Sequence, residues 1–333
     1  MTSLGDFRCP QCRGPLSSNP EAYRCQACGR EYPIVFGIPD FRLFPDPYIS
    51  LEDEYEKARV LADEAGLVSF EALVRAYWEM TPDVPRQAVE RYIRYALGAE
   101  GRGRACLETI DVHVGWRWSG QVCLEIGCGT GGFLLAARTR FRTLIGADIA
   151  LRWLVVAKKR LEGATRDIIL VCCSAEHLPF PDEAFDGIVG LHVLEHTKDQ
   201  QAVVSETARA LKRGGLFFFS TPNRFSLGPE PCVRVWGVGF LPRALASRYV
   251  WMIKKIPYRN IRLLSCFELR RLLSRSGLKE WSIGPARIAE CELNVVSGFT
   301  RVLIRIYHAL LARPLFSSVL RIFGPLLEVV GQR

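Results

Sequence analysis

Between Ser50 and about Gly120 the apolar positions fall at helical intervals: Leu73, Ala76 and Tyr77 recur three and four apart, as do Val89, Ile93 and Ala96. Ser50 followed three residues later by Asp53 is the pattern of a capped helix start. Pro82 and Pro85 lack the N–H that a helix interior needs, so they separate two helices. From Gln121 the pattern changes. QVCLEI is an apolar strand that runs into the turn GCGTGG, and FLLAARTRF after it reads as a helix. TLIGAD is a strand ending in Asp148, FDGIVGLHVLEH and LKRGGLFFFSTPN read as strands, and FELRRLLSRSGL reads as a helix. Strands alternating with helices predict an α/β domain. SGLKEWSIG and the stretch to Leu293 are expected to supply its last two strands. After Val295, Arg301, Arg305 and His308 share one helical face while Leu303, Ile306 and Leu310 share another; Pro314 then breaks the helix before a second apolar-basic stretch ending in Gln332 and Arg333.

The first 45 residues follow neither period. Cys9 and Cys12, then Cys25 and Cys28, each form a C-x-x-C pair, and Gly14, Pro15, Ser17 and Ser18 supply turns between them. Two such knuckles can bring four thiolates to one tetrahedral Zn²⁺, and a segment this short needs a staple to fold. The competing reading is two disulfides or a redox pair. The start MTSLGDFRCP lacks the basic head and apolar core of a signal peptide, so a reducing, cytoplasmic setting is expected, which favours zinc. Four thiolates leave no open coordination position, and the role is structural or docking. REYPIVFGIPDF, from Arg30 to Phe41, is similar to zinc ribbons that accompany methyltransferases as activator subunits or fused N-terminal modules.

At 333 residues, 49% apolar and 24% charged, the chain has room for one large domain and a small one. Its net charge of +9 suits nucleic acid, an anionic membrane face or an acidic acceptor without choosing among them. Arginines interrupt every hydrophobic stretch before the ~18 to 20 residues that cross a bilayer, so no transmembrane helix is expected.

Gly127, Gly129 and Gly131 let the backbone turn sharply and lie close to a ligand. The loop alone leaves the ligand open, since Gly127, Gly129 and Gly132 also satisfy G-x-G-x-x-G and Asp148 lies where a nicotinamide enzyme recognises ribose. Glu125 discriminates: it suits the ammonium of a methionine moiety, whereas a pyrophosphate would be repelled. Across residues 121 to about 290 the chain resembles class I methyltransferases of the type-11 kind, on LEIGCGTGG, on Asp148, on SAEHLPFPDEAFD and on the two strands that follow. The resemblance implies a doubly wound, Rossmann-like, seven-stranded α/β sheet that binds S-adenosyl-L-methionine. It implies Asp148 on the ribose hydroxyls, Ser174, Ala175 and Glu176 along the adenine, and Leu191 near the sulfonium. Ser174 stands where the family usually has aspartate. The domains expected are a zinc ribbon over 1–45, a helical segment over 46–118, the methyltransferase domain over 119–292 and amphipathic helices over 293–333.

Methyl transfer from a sulfonium needs alignment more than a strong base, unless the acceptor is a hydroxyl that must lose its proton. His192, Glu195 and His196 are the candidates for that task, His196 foremost. H-V-L-E-H matches an H-x-x-E-H protease motif only superficially, because it leaves a strand and not a helix. Glu195 and His196 match the L-E-H of ubiquinone-pathway O-methyltransferases, which can use a divalent metal there; His192 in place of a glutamate disfavours a hard cation. The insertion from Phe225 to Ser265 mixes Trp236, Phe240, Tyr249, Trp251, Met252, Ile253 and Tyr258 with seven basic residues, suiting an acceptor with apolar and anionic parts. The reading is a methyltransferase acting, at oxygen, on a small-molecule, lipid-linked or glycan-precursor acceptor. The C-terminal helices are candidates for peripheral contact with the inner membrane face, against packing on the core or on a second copy. The alternatives are an rRNA or tRNA methyltransferase using ribbon and insertion for RNA, and, third, a binding module without catalysis.

Overall fold

Four short strands build the N-terminal module: β1 (Leu16–Ser18), β2 (Ala22–Cys25), β3 (Glu31–Val35) and β4 (Ile38–Pro39), each hydrogen-bonded to the next in chain order. The computed structural model describes residues 7–81, 84, 86–164, 167–288 and 298–333. Pro82, Pro85, Leu293 and Val295, on which the sequence reading drew, lie outside these.

Four helices follow: α1 (Leu51–Ala65), α2 (Phe70–Glu79), α3 (Arg86–Leu97) and α4 (Ala99–Val114). Ser50 caps α1 as its sequence suggests, its hydroxyl accepting from the Asp53 N–H at 3.1 Å, and Ser69 caps α2 in the same way. Gly115, left-handed at φ 79°, ends α4.

The large sheet comes from β5 (Gly120–Ile126), β6 (Phe141–Asp148), β7 (Asp167–Cys172), β8 (Phe185–Leu191), β9 (Leu211–Pro222), β10 (Trp281–Pro285) and β11 (Leu326–Gln332), in the order β7-β6-β5-β8-β9-β11-β10. β5, β6 and β7 run parallel, joined by α5 (Gly132–Ala137) and α6 (Leu151–Arg160), while β11 lies antiparallel between β9 and β10. This is the seven-stranded, doubly wound α/β arrangement that the sequence implies. SGLKEWSIG supplies β10 as expected. The other late strand is the end of the second apolar-basic stretch: after α10 (Gly298–Leu311) and α11 (Pro314–Phe323), Gly324 and Pro325 stop the helix and LLEVVGQ begins with alternating half-buried and buried positions, at strand period, before three buried residues in a row. The remaining helices are α7 (Gln200–Ala210), α8 (Arg243–Lys254) and α9 (Cys266–Ser274). No helix among the described residues is long and apolar enough to cross a membrane.

The chain folds as two compact units, Met1–Ile188 with Arg209–Lys212, and Val189–Ala208 with Arg213–Arg333. In the first, the four-cysteine module covers the open edge of β7. The Phe41 N–H donates to the Cys172 carbonyl at 2.7 Å, and the Arg8 N–H and the Arg13 guanidinium donate to Pro179 and Leu178 carbonyls. An unprotected edge strand templates aggregation, and this contact removes part of that exposure. Phe41, fully buried, packs among Phe7, Tyr23 and Tyr32 with ring centroids 5.0 to 5.3 Å apart.

The same unit is tied together by ion pairs taken out of water. Arg42 forks onto Asp40 through Nε and Nη2, at 2.9 and 2.6 Å, and Tyr55 donates to the same carboxylate. Arg152, on α6, pairs with Asp46 at 2.8 Å and with Glu54 of α1, and its own backbone N–H donates to Glu54 at 3.0 Å. Tyr77 of α2 meets its Nε. All three charged side chains are under a tenth exposed. Arg152→Met should therefore cost about 3–5 kcal/mol, because two carboxylates would be left buried without a cation. Urea denaturation should show the midpoint fall, and adding Asp46→Asn with Glu54→Gln should recover much of the loss.

Candidate functional site

β5 ends at Ile126 and the chain turns through Gly127, Gly129 and Gly131, with φ of 69°, 49° and 72°. Only glycine takes such values without strain, and the space that a Cβ on Gly129 would enter is empty of protein for 4 Å. The loop is held to the end of β6: the N–H groups of Gly127 and Cys128 donate to the Ala147 carbonyl, and Gly129 N–H donates to Asp148 Oδ2 at 2.8 Å. Asp148 Oδ1 accepts from Ala150 N–H at 2.8 Å. Its carboxyl thus joins two loops. Burial pushes its pKa up to about 6, the two N–H groups pull it back, and the charge of Asp46 adds to the rise.

Glu125, on β5, is 4% exposed, and its Oε2 has no hydrogen-bond partner among the described residues. Burial drives its pKa well above the carboxylate range, with Asp148 adding to the rise, while the Leu134 N–H and Arg160 counter it. Ser174 follows β7 and is also buried with an unpartnered hydroxyl oxygen. Ala175 and Glu176 beside it are buried. Buried polar atoms are nearly always satisfied, and two unsatisfied ones around an open glycine turn fit a ligand that brings its own donors. An amine, vicinal hydroxyls and a ring amino group would serve Glu125, Asp148 and Ser174 in turn.

In the second unit Leu191 ends β8, and His192 follows with φ 56°, a value that costs a non-glycine residue strain. Its Nδ1 stands 3.7 Å from Glu195 Oε1. Glu195 and His196 occupy a single 3₁₀ turn, Leu194–His196; Glu195 is buried, Thr221 donates to its Oε2 at 3.1 Å, and His196 is half-buried. Burial pushes the Glu195 carboxyl up to about 8, with the charge of Glu230 adding to the rise and hydrogen bonds from the backbone and Thr221 opposing it. At neutral pH it holds its proton, which makes it a poor cation ligand and a poor base. Sequence reasoning singled out neither Thr221 nor Glu230. Glu230 sits 4% exposed in the insertion, its Oε2 accepting from Val233 N–H at 2.7 Å and its Oε1 without a partner; a lone acid in GPEPC gives no sign of burial.

The four cysteines converge. Their sulfurs all lie within 4.8 Å of one another, with Cys9 to Cys28 at 3.7 Å and Cys12 to Cys25 at 3.5 Å. Four sulfurs bound at ~2.3 Å to one tetrahedral ion would stand about 3.8 Å apart, so the donor set fits zinc. Tyr32 reaches Cys9 Sγ at 3.1 Å, an outer hydrogen bond of the sort that steadies such a centre. Among the described residues no other group of three or more His, Cys, Asp or Glu ligand atoms gathers in this way.

The insertion divides its aromatic residues. Tyr258 is buried and Tyr249 packs with it around Val233, Val235, Val238, Ala246 and Val250. Trp236, Phe240, Trp251, Met252 and Ile253 are exposed, Trp236 and Met252 by about two thirds. α10 turns Ile304 inward, Tyr307 donates to the Ala286 carbonyl at 2.7 Å and His308 accepts from Ile288 N–H. Leu303 and Ile306 face outward, and no residue of α11 is buried.

A family profile described as a methyltransferase domain matches residues 124–219. The ubiquinone biosynthesis O-methyltransferase of Idiomarina loihiensis is 28% identical over 66% of the chain and 82% of its own length. That of Paracidovorax citrulli is 31% identical over 58% of the chain and 76% of its own. Among solved structures, a Haemonchus contortus phosphoethanolamine N-methyltransferase 2 in complex with S-adenosyl-L-methionine superposes with a TM-score of 0.48 at 17% identity, over 80% of this chain and 60% of that one.

The metal reading has a direct check. Protein purified under reducing conditions should carry one zinc per chain by elemental analysis, and Cys9→Ser should lose most of it. Zinc-free wild-type protein would end that reading.

Proposed function

The chain belongs to the S-adenosylmethionine-dependent methyltransferases, the family that includes the ubiquinone biosynthesis O-methyltransferases, and on that premise we propose that it methylates an oxygen of a small, largely apolar acceptor. The observation that carries the cofactor half is the set of buried, unpartnered polar atoms around the glycine turn: Glu125 Oε2 and Ser174 Oγ, with Asp148 between their strands. In this reading Glu125 holds the ammonium of S-adenosylmethionine, Asp148 the ribose hydroxyls, and Ser174, Ala175 and Glu176 line the adenine. Gly127, Gly129 and Gly131 let the backbone approach. The bound cofactor supplies an electrophilic methyl group on a sulfonium, itself an excellent leaving group.

For the acceptor, the proton falls to a histidine. Glu195 keeps its own proton at neutral pH, so it orients and His192 or His196 accepts. The exposed rings of the insertion and the outward apolar residues of α10 and α11 suit a lipophilic acceptor. No acidic residue lies between Glu230 and Glu268, so the same stretch suits an anionic headgroup or an anionic lipid face. Zinc at Cys9, Cys12, Cys25 and Cys28 is proposed as structural, closing the fold of the module that covers β7.

Asp148 sets a pH dependence. Its carboxyl accepts from two hydroxyls at once, and most strongly, when charged, so affinity for S-adenosylmethionine should hold above pH 7 and fall, by up to about tenfold per unit, below pH 6. Calorimetric titration from pH 5 to 8 measures it; affinity that rises on acidification would contradict the assignment.

The substrate class is tested by supplying methyl-labelled S-adenosylmethionine to the protein with a host extract separated into lipid, small-molecule, glycan, RNA and protein fractions. Alkali-stable label in the lipid or small-molecule fraction is expected. Label confined to RNA would replace this reading by the one in which the insertion contacts phosphates.

A further inference from the structure

Arg160 closes α6, where a basic residue ordinarily reaches into solvent. Here it does not. Its guanidinium stacks over the ring of Phe70, with Cζ 4.0 Å from the centroid, and Nη2 donates to the Ala96 carbonyl at the end of α3. Nε and Nη1 are buried and have no hydrogen-bond partner among the described residues. An arginine is rarely left in that condition, because removing a cation from water without an anion costs several kcal/mol. The cost registers in its pKa, which burial brings down to about 10 while Glu100 and Glu125 oppose the fall and Arg102 adds to it.

The neighbouring group in the same condition has the opposite charge. Glu125 accepts from the Leu134 N–H of α5 and leaves Oε2 unpartnered. At the head of α5, Gly131 lies directly against Leu161, the residue that follows Arg160; a Cβ on Gly131 would stand 3.2 Å from its Cδ1. The glycine turn therefore brings the two groups to one locality, and each acts on the other's charge. They do not pair directly in the structure: each keeps donors or acceptors free.

Beside a bound ammonium the Glu125 carboxyl ionises, and with its free acceptor it joins a guanidinium with two free donors in complementing an α-amino acid zwitterion, whose ammonium and carboxylate sit on one carbon. We propose that Arg160 binds the carboxylate of the methionine moiety of the cofactor while Glu125 binds its ammonium, so that the pair forms a receptor for the amino acid end of the ligand. The proposal rests on the cofactor reading above and adds a residue from outside every motif that suggested it. Phe70 holds the guanidinium plane in place and the carbonyl of Ala96 fixes its rotation, which leaves Nε and Nη1 as the donors open to a ligand.

The test compares two ligands that share the adenosine thioether and differ in the amino acid: S-adenosylhomocysteine and 5′-methylthioadenosine. Calorimetric titration of wild type, Arg160→Met and Arg160→Lys is expected to show S-adenosylhomocysteine weakened by about tenfold or more in Arg160→Met, partly recovered in Arg160→Lys, and methylthioadenosine unchanged in all three. Equal weakening of both ligands would assign Arg160 to the fold alone and overturn the proposal, as would an unchanged affinity for S-adenosylhomocysteine. If wild-type protein bound neither ligand, the cofactor reading itself would fall and the receptor with it. Because methylthioadenosine reports on the adenosine half independently, the two failures are separable. Should Arg160→Met not fold, Arg160→Lys and Glu125→Gln carry the same comparison.

Discussion

Taking a charge out of water costs several kcal/mol unless an opposite charge or a full set of hydrogen bonds goes with it, and the first unit sorts its residues by that rule. Arg152 and Arg42 are repaid inside the protein, the one by Asp46 and Glu54, the other by Asp40. Those pairs connect the cysteine module's tail, α1 and α6, so they hold elements together. Glu125 Oε2 and the Nε and Nη1 of Arg160 are buried without such repayment. The contrast separates charge satisfied within the fold from charge the fold leaves unsatisfied. Asp148 stands between the two classes, with two backbone donors satisfied and a carboxyl still raised.

Local chemistry made the glycine turn, the Ser50 cap and the convergence of the four cysteines readable from sequence. A left-handed turn needs glycine, a cap needs a hydroxyl, and a thiolate cluster needs paired knuckles. Each is decided within about ten residues. What escaped was decided by distant partners. Arg160 ends AKKR, which looks like a solvated basic helix end until Phe70 and Ala96 close over it. Arg152 looks like any helical arginine, and only the fold brings it Asp46 and Glu54. Glu230 lies in a loop whose proline and glycine content says nothing about depth. The last strand was hidden because LLEVVGQ follows two apolar-basic helices, and its hydrophobicity continues theirs while its period does not.

In the second unit the aromatic and basic composition of the insertion was legible from sequence, but its division between buried and exposed rings was not. Tyr258 and Tyr249 make the insertion's own small core, which lets Trp236, Trp251 and Met252 stay outside without the segment collapsing onto them. A loop that carried only exposed rings would lack a reason to keep one shape. Having an internal core, this one presents its apolar surface on a fixed support.

The position of β11 has a consequence for how the protein is made. Residues 326–332 lie between β9 and β10, pairing with β9 residues roughly a hundred positions earlier in the chain. During synthesis, β10 emerges with no neighbour to receive it and β9 with one side unpaired, and both must wait while α10 and α11 are translated. Only when the last of β11 has cleared the ribosomal tunnel can that half of the sheet close. The four-cysteine module, by contrast, has all four of its strands within a few dozen residues and can close early. The two ends of the chain therefore mature on different clocks, with the apolar surfaces of the insertion already exposed to the cell in the interval.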